Sequence, residues 1–479
     1  MRPLEKRNLY QRLSSLAALD PDRPILKDGS DVLTASALFQ QATAAVNAFS
    51  SFGITTGTLA ALSAPRRMTT AVLLLGLRFS GAVAMLFDPR QSTEEILSEC
   101  ETKLPLAFSV STDGSGSIAA TRLSDGYTVS VSLFFSSAPA FDPGYDPDDA
   151  AFLLFTSGST GAKKAVVLSE SNLIVDLIVS EPLGLYLPDD IALGALPLDH
   201  VFGLVLLLGT IVLGYRLYFP KSTNVDSLLL AVASERITRM NGVPSLYLRM
   251  AERAKDYDLS SLRAGFIAGG PVTKAQFLHI EKALEMTLIS VYGMTECIGI
   301  SCSDWRDRQD VRASGVGPFY TVNRGRIVLE DGTPAEIGQI GEIQVNGPMR
   351  MLGYYGEPMA KDAFLSTCDL GYLDETGVLH LCGRKKDILI RNGYNLSSAR
   401  IEAALLSLPG VSAAAVVGLP DAMQGEVPCA MIVGQADLSL LAEKLRKNEL
   451  PVRIVSVSKL PMTPLGKPDK QAIREALRV

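Results

Sequence analysis

Apolar residues recur at helical spacing from Ala35 to Phe52, which predicts an amphipathic helix. A short apolar run at Leu59 to Ala64 predicts a strand, Thr69 to Phe79 a helix, and Ala82 to Phe87 another strand. Gly81 and the Asp88-Pro89 pair punctuate those ends with turn chemistry. The same alternation continues over most of the first 330 or so residues, predicting α/β layers with largely parallel sheets. Two continuous apolar runs stand out, Ala71 to Leu77 and Val201 to Leu213. Both fall short of the ~20 residues that cross a bilayer, so they are read as buried helices or strands. The stretch from about 110 to 150 is rich in Ser, Asp, Gly and Pro and predicts surface loops.

Beyond about residue 320 the rhythm changes to short strands separated by Gly-rich turns, predicting a β-rich subdomain at about 315–385. The last stretch has its own pattern. Ser398 is placed to cap a helix reaching about Leu408, and Pro409-Gly410 stops it. Strands are predicted at Val411 to Val417, Val427 to Val433 and Arg453 to Val457, with helices at Leu438 to Lys447 and from Asp469 onward. The expected organisation is a large layered N-terminal domain, 1–385, and a small mobile α+β domain, 386–479.

Composition changes this picture little. A chain of 479 residues is too long for one ordinary core. Its formal charge of -6, from 45 basic and 51 acidic residues, is scattered. That gives no electrostatic reason to expect nucleic acid or an acidic membrane as partner. Six cysteines with no CxxC pair, beside three histidines, argue against a disulfide framework or a zinc site. A reducing, cytoplasmic setting is expected. The opening MRPLEKRNLYQRL is charged and amphipathic, with no apolar core of a signal peptide behind it.

Candidate chemistry is concentrated in LLFTSGSTGAKKAVVLSESNL, where an apolar strand runs into Thr156, Ser157, Gly158, Ser159, Thr160 and Gly161. Small residues let backbone N–H groups crowd an anion, hydroxyls add donors, and Lys163 or Lys164 adds charge. The spacing of a Walker A loop is absent. Further along come LPLDHVFGL with His200, FIAGGPV with Ala268, Gly269 and Gly270, and VYGMTE with Tyr292, Gly293, Met294, Thr295 and Glu296. STCDLGYLDETGVLHLCGRKKD carries Asp369, Arg384 and Lys386, and PMTPLGKPDKQAI carries Lys467 and Lys470.

In this order the motifs resemble those of the AMP-forming adenylating superfamily, which includes acyl-CoA synthetases, and the resemblance spans nearly the whole chain. It implies ATP-dependent conversion of a carboxylic acid to its acyl-AMP with release of pyrophosphate, then transfer to a thiol. It puts the phosphate-loop lysine on Lys164 and the Mg²⁺ carboxylate on Glu296, with Thr295 at the α-phosphate. Tyr292, with Gly293 and Met294 beside it, would stack on adenine, while Asp369 and Arg384 would hold the ribose. Lys386 would be the hinge and Lys467 the catalytic lysine. His200 would gate the acid pocket, with Val201, Phe202 and Ala268 lining it. The GEIQVNGPMRMLGYYGEP stretch is expected to be structural.

The resemblance also implies coenzyme A as the thiol, with the phosphopantetheine arm of an acyl carrier protein as the alternative. ILIRNGYNLSSARIE departs from the family pattern where relatives line the pantetheine tunnel, which keeps a stand-alone acyl-AMP ligase as the second reading. A non-catalytic nucleotide-binding scaffold is a third, and retention of Lys467 argues against it. A luciferase-like oxidation is compatible with the scaffold, but nothing in the chain calls for it. In amino-acid-activating relatives an Asp follows the His200 position; here it is Val201. A buried ammonium without a carboxylate is costly, so an α-amino acid is disfavoured. Asp199 is expected to point away.

Overall fold

The computed structural model describes residues 7–92, 94, 95, 98, 108–112, 117–122, 128–132, 146–157, 163–392, 394–435, 438–462 and 468–478. Two large sheets dominate the first part of the chain. The first runs, edge to edge, Glu357–Pro358, Gly353–Tyr354, Lys163–Ser169, Ala150–Ser157, Val83–Phe87, Leu59–Ser63, Phe108–Thr112, Ser117–Arg122 and Thr128–Ser132. Its centre is parallel. Ala60, Leu62, Ala84 and Leu86 pack into the main core, while Leu59, Ala61, Met85 and Phe87 pack into a second cluster. A strand apolar at successive positions is one whose two faces are both covered.

The second sheet runs Cys297–Cys302, Thr287–Met294, Ala264–Ile267, Arg239–Met240, Ile191–Leu193, Arg216–Phe219, Pro24–Asp28 and Asp31–Thr34. It is parallel from Pro24–Asp28 through Thr287–Met294, with an antiparallel strand at each edge. Helices Leu9–Leu19, Ala35–Ser51, Met68–Phe79, Glu170–Ser180 and Val201–Val212 share one core with strands of both sheets. Helices Val225–Glu235, Pro244–Arg253 and Lys274–Leu284 form a separate core with the second sheet. Both apolar runs weighed as membrane candidates lie in buried helices. Among the described residues no helix is long and apolar enough to cross a membrane.

An antiparallel sheet of Arg324–Val328, Gly341–Asn346, Leu365–Leu373 and Leu379–Arg384 follows. The last sheet contains Ile388–Arg391, Tyr394–Ser397, Val411–Asp421, Gly425–Gly434 and Arg453–Val457.

Three expectations need correction. The 110–150 stretch holds strands at Phe108–Thr112, Ser117–Arg122 and Thr128–Ser132 rather than loops alone. There Ile118 faces Val131 and Ala120 faces Val129, a period-two pattern that the overall polarity hid. The cap of helix Ser398–Leu406 is Ser397, whose side chain accepts from the Arg400 N–H; Ser398 itself is buried. Only Leu438–Leu441 of the stretch read as Leu438 to Lys447 is helical, as a 3₁₀ turn. Glu449 accepts from the Arg446 N–H and the Arg400 guanidinium. The Arg446 N–H thus goes to a side chain and not to a carbonyl four residues back, as an α-helix would require.

One buried ion pair joins three helices. Arg78 in Met68–Phe79 and Glu170 in the first turn of Glu170–Ser180 are 1% and 0% exposed. Arg78 Nε lies 2.8 Å from Glu170 Oε1, and the Leu9 N–H donates to Oε2 at 2.8 Å. Glu170→Gln leaves a guanidinium buried without its counter-charge. The variant is expected to lose about 3 kcal/mol of stability, read as a lower urea midpoint than the parent's.

Candidate active site

The phosphate-loop motif forms the end of a β-hairpin, because Ala150–Ser157 and Lys163–Ser169 run antiparallel. Thr156 faces Lys164 and Ser157 faces Lys163 across it. Gly158, Ser159, Thr160 and Gly161 lie outside the described residues, as does Lys467. Lys163 Nζ donates to Gln91 Oε1 at 3.2 Å. Lys164 Nζ sits 4.9 Å from the centre of the Tyr354 ring, within cation–π range.

The VYGMTE motif is a second hairpin end, where Thr287–Met294 turns back into Cys297–Cys302. A Cβ on Gly293 would lie 2.0 Å from the Ile298 carbonyl oxygen, so only glycine lets the strands close there. Thr295 is half-buried in the turn, and Glu296 is 7% exposed. The Glu296 carbonyl accepts from the Met351 N–H at 2.8 Å, and its Oε1 accepts from the Tyr354 hydroxyl at 3.1 Å. Earlier on the same strand, the Tyr292 hydroxyl donates to Asp369 Oδ2 at 2.7 Å. Arg384 Nε lies 3.4 Å from Asp369 Oδ1. Burial, and then the Asp369 charge, push the Tyr292 phenol well above its ordinary value, so it stays a donor.

His200 is the N-cap of helix Val201–Val212, whose first residues Val201 and Phe202 are half-buried. Its Nε2 lies 3.9 Å from Asp199 Oδ2. Asp199 thus lies beside the ring of its chain neighbour. Burial raises its carboxyl while His200 and Arg66 pull it down, with Asp88 adding to the rise. Ala268, Gly269 and Gly270 follow strand Ala264–Ile267. Gly269 has φ +79°, a left-handed turn that exposes this loop's backbone.

Lys164 and Glu296 thus meet at Tyr354, while Tyr292 of the second hairpin meets Asp369, which lies beside Arg384 in the antiparallel sheet. Lys386 is exposed in the turn Lys385–Asp387. GEIQVNGPMRMLGYYGEP is split: Gly341–Asn346 joins the antiparallel sheet, and Gly353–Tyr354 and Glu357–Pro358 join the first large sheet. Sequence reasoning missed Tyr354, because its partner Glu296 is 58 residues away. It also missed Asp176. Among the described residues no three His, Cys, Asp or Glu side chains cluster as a metal cage. One carboxylate beside a triphosphate suits Mg²⁺, which keeps several waters. Tyr354 takes only one oxygen of Glu296, and Oε2 has no hydrogen bond among the described residues.

Layered parallel sheets carrying these groups at hairpin and strand ends define a nucleotide-binding α/β enzyme. The AMP-binding enzyme family matches residues 14–355, and its C-terminal domain family matches residues 400–467. The chain belongs to the AMP-binding enzyme family and is a ligase of the AMP-forming acid–thiol class. It is 30% identical to a sulfoacetate–CoA ligase of Cupriavidus necator over 94% of each chain. It is 29% identical to a 2-succinylbenzoate–CoA ligase of Bacillus cereus over 97% of each. The crystal structure of ATP-bound MatB from Rhodopseudomonas palustris superposes with a TM-score of 0.84 at 25% identity, covering 98% of this chain and 99% of that one.

Asp176 lies under the second hairpin, in helix Glu170–Ser180, with Oδ1 2.5 Å from where a Gly299 Cβ would be. Burial alone pushes its carboxyl up to about 7. The unfolded side chain ionises near pH 4, so between about pH 4 and 7 the native state binds more protons. Stability therefore falls as pH rises through that window and levels off above it. Asp176→Asn removes this dependence. Its stability relative to the parent is expected to climb from pH 4 to 7 and then stay flat, measured by urea midpoints across pH.

Proposed function

We propose that the chain activates a carboxylic acid lacking an α-ammonium group as its acyl-AMP and passes the acyl group to coenzyme A. The observation that carries this reading is the meeting of Lys164 and Glu296 at Tyr354, with Thr156 opposite Lys164 and with Asp369 held between Tyr292 and Arg384, in a chain whose relatives are acid–CoA ligases.

Both reactants of the first half-reaction are anions. At ~4 Å a like-charge pair costs about 1 kcal/mol in water and about 4 kcal/mol in a partly shielded site. Lys164 and the hydroxyls of the loop from Thr156 to Gly161 take the outer phosphate oxygens, and Thr295 holds the α-phosphate. Lys467 bridges the α-phosphate and the attacking carboxylate. Mg²⁺, when bound through Glu296, neutralises phosphate charge. Asp369 and Arg384 fix the ribose, and Tyr292 covers adenine. Positioning and charge compensation supply the rate, with little acid–base work.

His200 stands at the acid's carboxylate, and Val201, Phe202 and Ala268 face its body. Val201 supplies no carboxylate for an ammonium, which supports acyl or aryl acids. We place the boundary between the domains at Lys386, about which the small domain turns to withdraw Lys467 and admit the thiol. Coenzyme A is the acceptor of the named relatives; an acyl carrier protein is the second acceptor to assay.

ATP–pyrophosphate exchange across a panel of fatty, aryl and amino acids tests the reading. Exchange driven by acyl or aryl acids is expected, and exchange with no acid added would favour a nucleotide-binding scaffold. Lys467→Ala is expected to abolish exchange while sparing thioester formation from supplied acyl-AMP. Equal loss in both half-reactions would refute the assigned role.

A further inference from the structure

We propose that the Tyr354 hydroxyl is a positioning group for the metal-binding carboxylate, holding Glu296 by one oxygen so that the other is presented to the magnesium of Mg·ATP. The inference rests on the proposed metal role of Glu296.

Tyr354 is delivered to this place by the backbone. Gly353 has φ +149°, and a Cβ there would lie 2.4 Å from the Glu357 carbonyl oxygen, so no other residue fits before the tyrosine. Gly353 and Tyr354 pair with Val167 and Val166 of the strand that leaves the phosphate loop. The Leu352 N–H donates to the Val167 carbonyl at 2.9 Å, and the Tyr355 N–H to the Ala165 carbonyl at 2.8 Å. Tyr354 is therefore fixed to the phosphate hairpin, while its hydroxyl reaches across to Glu296 on the other large sheet.

Packing alone does not call for a hydroxyl, because phenylalanine would fill the same half-buried space. Among the described residues the oxygen has one hydrogen-bond partner, the carboxylate. A carboxylate anchored through one oxygen loses its rotational freedom before the metal arrives. Outer partners of this kind typically change metal affinity or activity 10–100-fold. The ring has a separate task, since Lys164 Nζ sits 4.9 Å from its centre. One side chain thus touches both the phosphate lysine and the metal carboxylate, through different atoms.

Tyr354→Phe and Tyr354→Leu separate the two contacts. ATP binding is measured by titration calorimetry in Mg²⁺ and in EDTA, with the Mg²⁺ concentration for half-maximal pyrophosphate exchange as a second readout. Tyr354→Phe is expected to bind ATP like the parent in EDTA, to bind about 10-fold more weakly in Mg²⁺, and to need about 10-fold more Mg²⁺. Its thermal midpoint stays at the parent's value. Tyr354→Leu is expected to lose a further two- to fivefold or so in both conditions, through the missing ring under Lys164. Equal weakening of Tyr354→Phe in Mg²⁺ and EDTA, or a lowered midpoint, marks a packing role and overturns the inference. Glu296→Gln is the control. If it abolishes the Mg²⁺ enhancement while Tyr354→Phe matches the parent, the inference fails and the metal role of Glu296 stands. If Glu296→Gln keeps the enhancement, that underlying role fails.

Discussion

The site depends on one strap of backbone, Met349 to Tyr355, which is hydrogen-bonded to both large sheets. On one side the Ile298 N–H donates to the Met349 carbonyl at 3.2 Å, and the Met351 N–H donates to the Glu296 carbonyl at 2.8 Å. On the other side Leu352 and Tyr355 bond to Val167 and Ala165. Other bonds cross between the layers, such as that from Arg66 to the Ala195 carbonyl, but the strap joins the two hairpins directly. With it, the distance between Lys164 and Glu296 is set by a short run of backbone bonds. Interactions within such a rigid frame lose little to reorganisation, the condition under which electrostatic catalysis is effective.

The frame also explains how acidic groups persist at the meeting point of anions. Glu296 is nearly buried, and an unpaired buried charge is costly. The Tyr354 hydroxyl meets one of its oxygens, and the other would meet the cation. Asp369 accepts from Tyr292 and lies beside Arg384. A carboxylate has about four acceptor positions, so these contacts leave room for further donors. The same tyrosine-to-carboxylate device is used twice, once on each side of the VYGMTE turn.

The layers were legible in the sequence because both-face burial and helical period leave strong local signals. Leu59–Ser63 and Arg453–Val457 lie almost where the pattern puts them. The motifs around Thr156 and Tyr292 were legible too, since each is a hairpin end whose turn chemistry is local. Long-range pairing was not. Tyr292 meets Asp369 across 77 residues and Tyr354 meets Glu296 across 58, and no periodicity encodes which hydroxyl finds which carboxylate. In Leu438 to Lys447 the leucines have helical spacing, yet only Leu438–Leu441 turns, and further on the Arg446 N–H is taken by the Glu449 side chain.

The C-terminal part constrains the proposed domain rotation. Lys470 Nζ lies 3.0 Å from Asp387, 3.1 Å from Glu402 and 2.9 Å from the Ser398 hydroxyl. This cluster ties the terminal helix Lys470–Arg478 and helix Ser398–Leu406 to the turn that contains Lys386. In the proposed rotation Asp387 would travel with the small domain, and the pivot would fall before it, at Lys385 or Lys386. On the other side of that point, the Ser397 hydroxyl donates to the Cys382 carbonyl at 2.7 Å. Rotation would break this bond and open the close approach at Gly383, where a Cβ would lie 2.9 Å from Ala399. Lys467 precedes Lys470 by a few residues of chain, so it would be carried into and out of the site by that movement.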